Sequence, residues 1–193
     1  ASFNDSDGSI TFDLKCSDNF AVNTLQLWGN WSGGWSANLT NSTPVNGMFW
    51  NVTVYGIPQG VWKWDAWCND SSGRGDWSDS NRTFMVDLTN PTASLGTNPV
   101  ASFNDSDGSI TFDLKCSDDI GVDTLKLYGN WTGSWIANQT NSTPTSNVWW
   151  NVTVNGIPEG VWKWDAWCND SVGWSDWSEV NRTFTVDFAP TIT

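Results

Sequence analysis

The chain has 193 residues, with 8 Lys or Arg against 21 Asp or Glu, for a formal charge of −13. Such an acidic balance argues against nucleic-acid binding, which needs cations to displace counterions, and against docking on an anionic membrane. The 17 Trp, the 17 Gly and the absence of His take away the commonest general base and lower the expectation of enzymatic chemistry.

The chain is organised by a repeat: residues 1–18 recur unchanged at 101–118, and the halves stay in step through GIPQGVWKWDAWCND and GIPEGVWKWDAWCND. A period near 100 residues is that of an autonomous domain rather than a solenoid repeat. The expected division is a first domain at 1–90, a second at 91–187, and a tail at 188–193. No apolar run approaches the ~20 residues of a transmembrane helix. A start at Ala1 without Met or signal peptide suggests a processed or excised chain.

In chain order, Asn4-Asp5-Ser6-Asp7-Gly8-Ser9 reads as a tight turn. An EF-hand is excluded, because setting Gly8 at the invariant glycine puts Phe3 first and Leu14 last. A looser calcium site near the domain junction, on Asp5, Asp7 or Asp70, is the alternative. Ile10 to Cys16 alternates apolar and polar residues, which predicts a strand with one buried face. Val22 to Leu27 repeats the pattern through Leu25 and Leu27, and Trp50, Val52 and Val54 repeat it around Asn51 and Thr53. In the run to Cys68, Trp62, Trp64, Ala66 and Cys68 share a face, and Phe84 and Val86 close the unit. Turn-forming residues separate the runs, and no helical period is present. Trp31, Trp35, Trp67 and Trp77 are expected near the surface.

Cys16 with Cys68 and Cys116 with Cys168 lie in phase, a spacing that suits one long-loop disulfide per copy in an oxidising compartment. Buried free thiols are the other reading, while zinc would need clustered ligands that are absent. Six or seven short strands per copy, with cysteines on an early and a late strand, predict an all-β fold: two tandem Ig-like β-sandwiches, each with one intersheet disulfide.

The residues Val54-x-Gly56-Ile57-Pro58-x-Gly60-x-Trp62-x-Trp64-x-Ala66, then Asp70, Gly73, Arg82-Thr83-Phe84-x-Val86-Asp87 and Pro91, resemble the Ig-like or fibronectin-III-like repeats of prokaryotic, especially archaeal, extracellular surface and filament proteins. The resemblance covers the second half of each copy well and the first half loosely. It speaks to fold more than function. The disulfide and the tryptophan content depart from the common pattern.

Asn-x-Ser/Thr occurs at Asn4, Asn30, Asn38, Asn41, Asn51, Asn69 and Asn81, and again at Asn104, Asn130, Asn138, Asn141, Asn151, Asn169 and Asn181. That is 14 of 21 asparagines, about threefold more than chance, which points to covalent N-glycans. Asn51 is expected to face solvent from a strand, and Asn41 stands three residues from Asn38. Exposed Trp rings would stack on sugars or pack against a neighbouring subunit.

Residues 88–100 contain a short strand, Thr92 to Leu95, ahead of the second copy, and nothing equivalent precedes Ala1. Phe188-Ala189-Pro190-Thr191-Ile192-Thr193 matches the start of that segment. The first domain thus lacks an opening strand that the tail of another copy would supply, giving a head-to-tail fibre; a continuous array of repeats is the competing reading. Asp13, Asp18, Asp65 and Asp70 recur in both copies, but no nucleophile–base pair, phosphate loop or metal cluster accompanies them. The expected function is that of a glycosylated, non-enzymatic structural subunit of an extracellular cell-surface filament, pilus-like and open to an adhesive role, with no cofactor and no nucleic-acid partner. A carbohydrate-binding or adhesin module is the alternative.

Overall fold

The computed structural model describes residues 3–178 and 180–190. The chain forms two compact units, Ala1–Leu88 and Thr89–Thr193, and no helix occurs among the described residues.

In the first unit the strands are β1 (Phe3–Asp5), β2 (Ile10–Lys15), β3 (Val22–Gly29), β4 (Ser36–Asn41), β5 (Phe49–Val54), β6 (Gly60–Asp70), β7 (Gly75–Trp77) and β8 (Arg82–Val86). One sheet runs β1-β8-β6-β3-β4, with β7 on the far half of β6; the other holds β2 and β5. In the second unit, β9 (Thr92–Leu95) precedes β10 (Phe103–Asp105), β11 (Ile110–Ser117), β12 (Val122–Gly129), β13 (Ile136–Asn141), β14 (Trp150–Val154), β15 (Gly160–Asp170), β16 (Ser175–Trp177) and β17 (Arg182–Val186). Its large sheet repeats the first, but its small sheet has three strands, β14-β11-β9.

The alternating residues meet between the sheets. In unit 1, Ile10, Phe12 and Leu14 face Leu25, Leu27, Phe84 and Val86, all buried. Burial of each such side chain contributes about 1.5–3 kcal/mol. Disulfides Cys16–Cys68 and Cys116–Cys168 tie one sheet to the other in each unit. Each unit is an Ig-like β-sandwich.

Trp31 departs from the sequence expectation. It is buried and stacks on Phe12, with centroids 5.6 Å apart and planes at 11°, as Trp131 does on Phe112. The ring fits because Gly29 leaves the space: a Cβ there would lie 1.8 Å from the Trp31 ring. Three strands also lack an alternating signal. β1 is short and pairs parallel with β8, while β4 and β7 are mostly exposed strands of polar or aromatic residues.

At the turn after β1, Asp5 Oδ1 accepts the amides of Asp7 and Gly8 at 3.1 and 2.6 Å, and Asp7 Oδ1 accepts that of Ser9 at 2.8 Å. Gly8 has φ +71° and sits where a Cβ would be 2.7 Å from Ile57 O, so only glycine fits. Both carboxylates thus cap a turn, as the turn reading required.

Candidate functional site

The two copies are near-identical in sequence, so their differences isolate what one added strand does. In unit 2, β9 runs antiparallel to β11 with Leu95 opposite Leu114, Ser94 opposite Lys115, Ala93 opposite Cys116 and Thr92 opposite Ser117. The backbone continues past the strand onto Asp113. Gly96 N donates to Asp113 O and Asp113 N to Asn98 O, both at 2.8 Å, while Asn98 donates its backbone N and side-chain Nδ2 to Asp113 Oδ2 at 3.2 and 2.9 Å. Arg182 donates to the carbonyls of Gly96, Pro99 and Leu95 at 2.5, 3.3 and 3.4 Å. A Cβ on Gly96 would stand 2.5 Å from Asp113 Cβ, so the chain passes there because residue 96 has no side chain.

Unit 1 has the receiving groups without the strand. β2 pairs with β5 along one edge, and among the described residues no strand lies along the other. Asp13 is exposed where Asp113 is 7% exposed, and Trp64 is half-buried where Trp164 is 0% exposed. Asp13 accepts the Asn51 amide at 2.5 Å, and the Arg82 guanidinium lies 5.1 Å from the Trp64 ring centroid. A cleft of about 450 Å³ opens here, lined by Phe3, Ile10, Phe12, Asp13, Trp64 and Arg82 among others. β2 also ends at Lys15, whereas β11 extends to Ser117. An unpaired edge offers backbone donors and acceptors to an incoming strand.

Of the tail, Phe188 to Pro190 are described. Phe188 N donates to Glu159 Oε1 at 2.9 Å, as Leu88 N does to Gln59 Oε1 at 3.2 Å. Thr191, Ile192 and Thr193 lie outside the described residues.

The sequons fall into groups. Asn4, Asn51, Asn81, Asn104, Asn151 and Asn181 are exposed, Asn51 as its strand position required. Asn41 and Asn141 use Oδ1 to accept the Thr43 and Thr143 amides at 3.0 Å, and Asn30 and Asn130 accept the Lys63 and Lys163 amides at 2.8 and 2.7 Å. In both pairs the carbonyl oxygen makes the bond and Nδ2 is the attachment atom. Asn38 and Asn138 instead commit Nδ2, to the carbonyls of Gly29 and Ser36 and of Gly129 and Ile136, at 3.0–3.1 Å. Asn169 Nδ2 donates to Asp123 Oδ2 at 3.4 Å and to Asp170 O at 3.1 Å. Asn69 and Asn169 also bury a side-chain oxygen without a hydrogen bond.

On the outer face of the large sheet, aromatic rings gather in both units. Trp28 meets Trp77 edge-on at 5.2 Å, with Trp35 at 6.3 Å from Trp77. Tyr128, Trp135 and Trp177 form the same group in unit 2, at 4.7 to 6.3 Å. Trp35 and Trp77 are about two-fifths exposed, and Trp67 is half-buried.

Two carboxylates are perturbed. Burial raises the pKa of Asp165, opposed by the hydroxyl of Ser178 and the amide of Ala166. The Ser72 hydroxyl, with the Arg74 amide, lowers that of Asp70.

No family model and no curated protein match the chain. Among solved structures, the fibronectin(III)-like modules of Clostridium thermocellum CbhA are 14% identical, over 97% of this chain and 88% of theirs, with a TM-score of 0.44. A solved chain from work on a 1.5-MDa bacterial ice-binding adhesin is 21% identical over 97% of this chain and 61% of that chain, with a TM-score of 0.45. The FN1–FN3 domains of chicken CNTN1 are 13% identical over 95% of this chain and 65% of theirs, at 0.38. At these levels the assignment of Ig-like sandwiches rests on strand order and disulfides.

Proposed function

We propose that the chain is a structural subunit of an N-glycosylated extracellular filament assembled head-to-tail by β-strand donation. The observation that carries this reading is the open edge of β2, whose equivalent in unit 2 is filled by residues 92–99. The donor is the segment beginning at Pro190 of a second copy: Pro190-Thr191-Ile192-Thr193 matches Pro91-Thr92-Ala93-Ser94. Ile192 then takes the inward position that Ala93, 5% exposed, holds in unit 2. Donation is directional and does not close on itself, so repeated copies propagate a fibre. The disulfides fit an oxidising exterior, and no helix is long and apolar enough to cross a membrane. N-glycans on the exposed sequons would coat the fibre.

Electron microscopy of the native material tests this directly. A chain lacking Phe188–Thr193 should fold as monomers that no longer polymerise, and adding a peptide of residues 91–99 to the intact chain should cap growth. Fibres of normal length from the truncated chain would overturn strand donation.

The exposed Trp35 and Trp77, which flank half-buried Trp28, and their copies favour a second reading, a module that stacks neutral sugars on these rings. Trp77→Ala would then abolish retention on a glycan array while leaving polymerisation intact.

A further inference from the structure

The turns at one end of unit 2 hold an unusual pair of acids. Asp170, at the end of β15, is 1% exposed. Its Oδ1 accepts the amides of Val172, Gly173 and Trp174 at 2.9, 2.7 and 3.0 Å, whereas its Oδ2 is buried with no hydrogen-bond partner. Asp118, in the loop between β11 and β12, repeats the arrangement: Oδ1 accepts Ile120 and Gly121 amides at 2.9 and 2.7 Å, and Oδ2 is buried without a partner. Carboxylate oxygens of the two lie within 4.8 Å of each other.

Unit 1 shows what is missing. There Ser72 donates its hydroxyl to both oxygens of Asp70, at 2.8 and 2.9 Å, and Arg74 adds positive charge nearby. In unit 2 these positions are Val172, which has no side-chain donor, and Trp174, which carries no charge, and Asp170 Oδ2 receives no hydrogen bond. Two neighbouring carboxylates whose second oxygens are buried without a donor repel each other, and those oxygens forfeit the hydration they had in the unfolded chain. Oxygen-only, doubly anionic surroundings are those that hard divalent cations bind.

We propose that Asp118 and Asp170 hold a hard divalent cation of the calcium class, which ties the β11–β12 loop to the β15–β16 turn within unit 2. The substitutions Ser72 to Val172 and Arg74 to Trp174 between the copies mark the exchange of a protein-supplied donor and cation for a metal. The site does not depend on strand donation.

Terbium binding to the full chain tests the proposal, with nearby tryptophans sensitising the emission. The expected result is saturable emission displaced by calcium, with affinity reduced at least tenfold in Asp118→Asn and Asp170→Asn. Asp79→Asn, an exposed acid, should leave it unchanged. Val172→Ser restores a hydroxyl beside Asp170, keeps the fold, and should weaken calcium binding and shrink the loss of unfolding temperature on chelation. Absence of saturable emission, equal loss in Asp79→Asn, or a chelator effect that Val172→Ser leaves untouched would overturn the site.

Discussion

Trp31 and Trp77 are chemically the same residue in two settings, and their substitutions should separate cleanly. Trp31→Ala empties a stacked core position and should cost about 3–5 kcal/mol in urea unfolding, whereas Trp77→Ala, partly exposed and edge-on to Trp28, should cost only about 0.5–1.5 kcal/mol. Asp165 is the buried acid whose partner matters. Ser178 donates its hydroxyl to it, so Ser178→Ala should cost about 1–3 kcal/mol. With its pKa raised by burial, Asp165 keeps its proton in the folded chain at pH values where the unfolded chain has released it. Its contribution is therefore favourable in acid and is lost as pH rises from the ordinary carboxylate value through the raised one. Ser178→Ala removes a group that favours the charged form and should push that midpoint higher, read by NMR titration. Asp70 has the opposite sign: its lowered pKa contributes stability near neutrality that disappears as pH falls through the folded value, and Ser72→Ala should move the midpoint up.

The strand β9 is short, yet it alters every group it covers. Gly96 lets the backbone reach Asp113, so Gly96→Ala should displace residues 96–98 and cost about 1–3 kcal/mol by overpacking. Amide exchange along Leu114–Ser117 should rise in that variant while the β12–β15 ladder stays protected. The alternating runs that became β2, β3, β5, β6 and β8 were legible because one face of each is apolar. β9 was legible too, through the offset of the repeat against its surroundings, and its bounds match the expected Thr92 to Leu95. β4 and β7 were not, since an outer or edge strand that buries little needs no period-two pattern.

Across the whole molecule, the copies should differ in redox behaviour. Each disulfide closes a loop of sequence separation 52, worth about 4 kcal/mol in a chain-entropy estimate. Cys116 and Cys168 are 1% and 0% exposed, whereas Cys16 and Cys68 are half-buried beside the open edge. Reductant followed by alkylation and mass spectrometry should therefore open Cys16–Cys68 first in monomers. Filling the edge with the 91–99 peptide should slow it to the rate of Cys116–Cys168. Glycopeptide mapping should find the exposed Asn81 and Asn181 modified before Asn38 and Asn138, whose amide nitrogens already serve two carbonyls.

By itself the sequence determined the tandem architecture and the alternating strands, and it pointed to the cysteine pairing and to the strand that precedes the second copy. These follow from local periodicity and from comparing the chain with itself. Only the tertiary structure decided that Trp31 enters the core, that Asn38 and Asn138 commit their amide nitrogens to carbonyls, and that Asp118 and Asp170 converge with their second oxygens unpartnered. Each of these depends on which distant groups share a space, and that is fixed by strand pairing across dozens of residues rather than by any local pattern.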